Sequence, residues 1–215
     1  MNLRTVFFDL DGTLIDHFSA IHRSYSHTLP QLGLPAPTLG QVRKAVGGGL
    51  EQAMLNFVSS EQLPEALRIY RSYFDRTMLD DVVLLPGSRE LLEELHRRGV
   101  TCAVLTNKLG DPSRSLCQHL GVTEFLQGIF GAKDTPWLKP DPAFSDHALR
   151  TLGHDSSTAL LVGDSPFDVQ AGINGGFPCW AVTTGTHTQE ELVAVGASRV
   201  YPDLLALGSA LLAEC

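Results

Sequence analysis

The chain has 215 residues, 43% of them apolar and 19% charged, with 16 basic against 24 acidic side chains and a net charge of −8. That length buries a sizeable core in one large domain or one domain with an insert, and the composition is that of a globular protein. The acidic balance, with no basic cluster beyond Arg97-Arg98, excludes general binding to nucleic acid or to an anionic membrane surface, so a phosphate partner needs a local site.

Residues 6–8 read as a short buried strand that runs directly into Asp9-Leu10-Asp11-Gly12-Thr13. Alternate residues of an extended chain project to the same side, so Asp9 and Asp11 converge. Two such carboxylates repel unless a cation or a proton lies between them. The pair therefore proposes a metal site, an acid/base pair, or both. A helix cap would account for one aspartate but not for two beside a strand.

From Asp16 to about Met78 the pattern is helical, with no strand expected. Helices are predicted over 19–29, closed by Pro30, and over 39–46, ending at Gly47-Gly48-Gly49. Two more follow over 50–58 and 61–78, the last with Leu63, Leu67, Tyr70 and Phe74 at helical spacing. Beyond residue 84 helices and apolar strands alternate. Helices over 88–98, 112–120, 142–152, 167–173 and 189–195 each lead to a strand, at 101–105, 128–130, 159–162, 179–182 and around Val200. A helix over 204–212 closes the chain. Buried strands separated by helices make a parallel sheet with right-handed crossovers. The expected fold is α/β: a Rossmann-like parallel-sheet core of residues 1–15 and 84–215, with a small all-helical cap of residues 16–83 inserted after the first strand.

Cys102, Cys117, Cys179 and Cys215 show no metal or disulfide spacing, and Cys102 and Cys179 fall in apolar strands as core residues. The first strand begins too early to leave room for a signal peptide, and no apolar run reaches the roughly 18 residues of a membrane span. A reducing cytoplasm is expected.

Ligands of such sheets bind beyond the carboxyl ends of the strands. There the sequence places Thr106-Asn107-Lys108, then Leu138-Lys139-Pro140, then Gly163-Asp164-Ser165-Pro166-Phe167-Asp168. Each residue type has a task if the substrate is a phosphate monoester. An ionised aspartate can attack phosphorus, and a second carboxylate can move the protons. Hard oxygen ligands suit Mg2+, while a hydroxyl and a lysine can bind the equatorial oxygens. Singly, Thr106-Asn107 could cap the next helix, Lys139 could be a solvated loop charge, and Asp164 could be a helix cap.

In order, Asp9 to Thr13, Thr106, Lys139 and Gly163 to Asp168 match four motifs of the haloacid dehalogenase superfamily, and along its whole length the chain resembles the phosphatases of that superfamily. The resemblance implies that Asp9 is the nucleophile and Asp11 the general acid/base, with Thr106 and Lys139 binding the phosphoryl group. It also implies Mg2+ held by Asp9, the backbone carbonyl of Asp11, and Asp164, with Asp168 in support. Dehalogenases of the superfamily lack the second aspartate, so Asp11 favours phosphoryl chemistry. Asp16, Val46 to Leu50, Thr106-Asn107-Lys108 and Leu138-Lys139-Pro140 are most similar to phosphoglycolate phosphatases, which places Asn107, Gly47 and Gly48 beside the substrate. The glycine triplet can offer amides to an anion or serve as a flexible turn. His17 stands where such relatives carry a serine and is expected at the surface. Gly185-Thr186-His187 lacks the aromatic residue often found there.

The expectation is a Mg2+-dependent phosphatase of a small phosphorylated metabolite. Its rivals are a phosphomutase of the β-phosphoglucomutase type and a non-catalytic phosphate-binding regulatory protein. A P-loop kinase lacks its motif.

Overall fold

The computed structural model describes residues 3–214, so Cys215 and the first two residues of the expected core lie outside the described residues. Strand β1 (Thr5–Phe8) is buried throughout, as a run of Val6, Phe7 and Phe8 requires. It leads through a turn at Gly12 into the short β2 (Ile15–Asp16). Four helices follow: α1 (Phe18–Gln31), α2 (Leu39–Ala45), α3 (Leu50–Met54) and α4 (Leu63–Thr77). Strand β3 (Val83–Leu84) then pairs antiparallel with β2. Both crossings between core and helical block are thus tied into one two-stranded ribbon.

The remaining strands are β4 (Thr101–Leu109), β5 (Leu126–Ala132), β6 (Ala159–Gly163), β7 (Cys179–Val182) and β8 (Arg199–Tyr201). With β1 they form one parallel sheet in the order β5-β4-β1-β6-β7-β8. The chain winds outward from β1 in both directions, so the crevice of the sheet opens beyond the ends of β1, β4 and β6. Helices α5 (Ser88–Arg97), α6 (Gly110–His119), α7 (Pro142–Leu152), α8 (Pro166–Gly175), α9 (Gln189–Ala194) and α10 (Leu204–Glu214) cover the two faces. One apolar cluster centres on Phe8, Val104, Leu160 and Trp180; the other centres on Phe7, Leu105, Phe144 and Leu161. Alternate side chains of β1 feed opposite faces, as the strand period demands. A third cluster, built on Tyr25, Met54, Tyr70 and Phe74, holds the helical block together. No helix among the described residues is long and apolar enough to cross a membrane.

The structure departs from the sequence expectations of the fold in four places. The helix expected over 50–58 stops at Met54. Asp16 lies in a strand, inside the stretch expected to hold none; two paired residues are too short to show a period of two. Pro30 sits inside α1 and does not close it; the helix runs on to Gln31. Strand β4 continues past Leu105, with a register irregularity between Leu105 and Leu109. That continuation takes Thr106, Asn107 and Lys108 into the strand, so they do not cap α6.

Leu161 is fully buried on the central strand β6. Leu161→Ala is expected to lower unfolding free energy by about 3 kcal/mol, within the range for buried Leu→Ala changes, as read from urea midpoints.

Candidate active site

The ends of β1, β4 and β6, with the loop before α7, bring the predicted residues to one place. Asp9, Asp11, Thr106, Asn107, Lys139, Asp164 and Asp168 are all buried. Close approach requires small neighbours: Gly12 has φ +88°, and a Cβ on Gly185 would lie 1.9 Å from Asp164 Oδ2.

Lys139 is the centre of the arrangement. Its ammonium donates to Asp9 Oδ1 at 2.8 Å and to Asp168 Oδ1 at 2.5 Å. The other oxygen of Asp168 accepts from the Ser165 backbone N–H at 3.1 Å and its hydroxyl at 2.6 Å, closing a capping box on α8. Asp164 is no helix cap. Its Oδ2 accepts from the Thr186 N–H and hydroxyl at 2.8 and 2.9 Å, and the Thr13 hydroxyl reaches Oδ1 at 3.3 Å. Oxygens of Asp9, Asp164 and Asp168 lie within 4.8 Å of one another.

Burial pushes the Asp9 carboxyl up to about 6, and Asp168 and Asp11 add to the rise while Lys139 opposes it. Burial, then Asp9 and Asp168, raise Asp164 far above the carboxylate range. Lys139 also resists charging by burial, but Asp168 and Asp9 outweigh that and raise it. Three carboxylates thus share one ammonium, an excess of negative charge that a hard divalent cation would remove. The donor set, all carboxylate oxygen, fits Mg2+.

Asp11 acts on Asp9 but has a cation of its own. Lys108 donates to its two oxygens at 2.8 and 3.2 Å, and Lys108 also stands 5.1 Å over the Phe74 ring of α4. Burial resists ionisation of Asp11, but Lys108, with His17, holds its carboxyl below the usual range. His17 is not at the surface: it is fully buried, which corrects the expectation. Its Nε2–H donates to the Met78 carbonyl at 2.6 Å, and Nδ1 stands 3.5 Å from Asp11 Oδ1. The β2–β3 ribbon brings the start of α1 against the end of α4, and this juxtaposition, not local sequence, encloses the ring.

Asn107 joins two loops. Its Nδ2 donates to the carbonyls of Gly47 and Lys139, both at 2.9 Å, and its Oδ1 accepts the Lys139 N–H at 2.8 Å. Thr106 lines a cavity with Asp9, Asp11, Gly47 and Gly49. Gly48 lines an adjoining outer cavity, where its Cα faces Gln52 and Phe167. Sequence reasoning did not single out Lys108, Thr186 or Ser165. Lys108, as the cation directly after Thr106-Asn107, carried the one available signal.

The haloacid dehalogenase-like hydrolase family model matches residues 6–182. A phosphoglycolate phosphatase of Pseudomonas savastanoi is 33% identical over 211 residues, covering 94% of this chain and 77% of that protein. One from Caulobacter vibrioides is 31% identical, covering 95% and 89%. A solved haloacid dehalogenase-like hydrolase from Streptococcus pneumoniae superposes with a TM-score of 0.89 at 28% identity, over 98% of this chain and 99% of that one. The chain belongs to the haloacid dehalogenase-like hydrolases and is a phosphatase of that family.

Lys108→Met leaves the Asp11 carboxylate buried without its cation, and a loss of about 3 kcal/mol in stability is expected. Adding Asp11→Asn should recover part of it, and the double-mutant cycle in urea measures the coupling; strict additivity would show that the pair does not interact.

Proposed function

We propose that the protein is a Mg2+-dependent phosphatase that hydrolyses a small phosphorylated metabolite through an aspartyl-phosphate on Asp9. In this reading residues 1–15 and 84–215 form the catalytic core and residues 16–83 the cap. The observation that carries it is the division of the buried carboxylates. Asp9 sits with Asp164 and Asp168 in an under-neutralised cluster, while Asp11 has its own cation 2.8 Å away. A nucleophile and a proton carrier need such different surroundings.

Asp9, Asp164 and the backbone carbonyl of Asp11 would hold the metal, with Asp168 fixing Lys139 beside them. Bound Mg2+ supplies positive charge to the carboxylates and to the phosphoryl oxygens. Lys139 and the Thr106 hydroxyl donate to those oxygens, as does the backbone near Gly47. A carboxylate oxygen of Asp9 bonds to phosphorus as the bond to the leaving oxygen breaks, and Asp11 gives that oxygen a proton. Water then passes a proton to Asp11 and bonds to phosphorus, and the Asp9–phosphorus bond breaks to release inorganic phosphate. The first step needs protonated Asp11, so Lys108 must loosen its hold as substrate arrives. The second needs the ionised form that Lys108 favours.

The names of the similar proteins make 2-phosphoglycolate the first natural ester to test. On p-nitrophenyl phosphate with Mg2+, Asp9→Asn is expected to lower kcat by about a thousandfold or more. Equal rates would remove Asp9 from the mechanism. EDTA should abolish turnover and added Mg2+ restore it; activity untouched by chelation would overturn the metal's part.

A further inference from the structure

The cavity beside Asp9 and Asp11 takes Thr106 and the two aspartates from the core, and its opposite wall from the helical block. That wall is largely apolar, with Ile21, Val46, Leu50 and Phe74, but it also carries Tyr25 of α1 and Arg71 of α4. Among the described residues four buried polar side-chain atoms have no hydrogen-bond partner: His17 Nδ1, Tyr25 Oη, Arg43 Nε and Arg71 Nε. Tyr25 and Arg71 share this one wall, whereas Arg43 lies over the Phe18 ring and His17 stands behind Asp11. A buried donor without a partner costs free energy, and a ligand or an ordered water would remove that cost.

The two groups ask for one kind of ligand atom. Tyr25 is 1% exposed, and burial pushes its phenol up, so the hydroxyl keeps its proton and can donate. Arg71 is a donor only and carries a permanent charge. Its ion pair to Glu51 spans 3.8 Å, beyond hydrogen-bond reach, and Glu51 has a closer cation in Lys133 at 3.0 Å. Asp75, the acidic side chain that the helical block adds to this wall, is exposed, where water and salt screen it. Two donors, one of them cationic, match the two oxygens of a carboxylate, whereas a leaving group without an acceptor would leave both unsatisfied. Arg71 also lines the adjoining cavity of about 330 Å3, and Gly49, Leu50 and Asn107 are walls of both. The far end of a ligand is therefore not confined to the space beside Asp9.

We propose that Tyr25 and Arg71 form the subsite that determines specificity, receiving a carboxylate on the leaving group and so selecting the phosphate ester of a short hydroxy acid over that of a plain alcohol. The proposal rests on the phosphatase reading above and gives a role to two residues which that reading leaves without one. Thr106 and Lys139 hold the phosphoryl end from the core, and α1 and α4 hold the acid end from the helical block.

The test is kcat/KM with Mg2+ on 2-phosphoglycolate, ethyl phosphate and p-nitrophenyl phosphate, for the full chain and its Tyr25→Phe and Arg71→Met variants. Ethyl phosphate has the same two carbons without the carboxylate, and the intrinsic reactivity of the two esters cancels when their ratio is compared between proteins. Each variant is expected to lower the ratio of 2-phosphoglycolate to ethyl phosphate by about tenfold or more. Tyr25→Phe removes only an unpartnered hydroxyl, so its urea midpoint should not fall; a fall would show that the hydroxyl bonds within the protein and would overturn its part. A ratio unchanged in either variant, as when water satisfies the donors or they serve the phosphoryl group, overturns the subsite and leaves the phosphatase reading intact. Hydrolysis of p-nitrophenyl phosphate by the unaltered protein without turnover of 2-phosphoglycolate does the same. No turnover of any of the three esters overturns both.

Discussion

Three buried carboxylates around one lysine are the constraint on which the rest of the site depends. Asp9, Asp164 and Asp168 come from two adjacent parallel strands and the helix after the second, so their approach is fixed by β1–β6 register and by the cap of α8. Lys139 bridges two of the three, while Asp164 accepts from Thr186 and Thr13. Left alone the cluster repels itself, and burial aggravates that repulsion. A hard divalent cation would complete such an arrangement. Local stability is given up for a site organised before substrate arrives.

A second carboxylate system stands beside the first, around Asp11. Asp9 and Asp11 are two residues apart, yet their surroundings differ because Lys139 reaches Asp9 from the loop before α7 and Lys108 reaches Asp11 from β4. Thr106 and Lys108, two residues apart on β4, project to the same side and line the cavity, while Asn107 between them ties Gly47 to Lys139. The peptide following Lys139 is cis, and Asn107 holds the backbone on both sides of that lysine.

The sheet and the strand-end residues were legible in the sequence because each depends on local pattern. Buried strands of four or five apolar residues, followed at once by Asp, Thr or Gly, announce both the strand and its active end. The helix over 142–152 and the strand over 179–182 coincide with α7 and β7 to the residue, bounded as they are by Pro142 at the first turn, Gly153 at the C-cap and the Pro178 turn. What was not legible depends on contacts between distant segments. His17 has no sequence partner; Met78, sixty-one positions on, and the ribbon between β2 and β3 bury it. Thr186 likewise reaches Asp164 from twenty-two residues away. Asp168 reads in the sequence as a carboxylate on the side of Asp164, whereas one of its oxygens closes the capping box on α8 with Ser165.

His17 also shows how the helical block and the catalytic centre are joined. Its ring donates to a carbonyl just past the end of α4 and stands beside Asp11, with Phe74 of α4 against one edge. Lys108, on the other side of Asp11, lies over that same Phe74. Asp11 therefore has two neighbours that both rest on α4, whereas the Lys139 that holds Asp9 belongs to the core. A shift of α4 relative to the sheet would disturb the surroundings of Asp11 and leave those of Asp9 in place. Tyr70, Arg71 and Phe74 of the same helix also line the cavity beside Asp9 and Asp11. A ligand packed against α4 would bear on Phe74, and through Phe74 on the two groups beside Asp11.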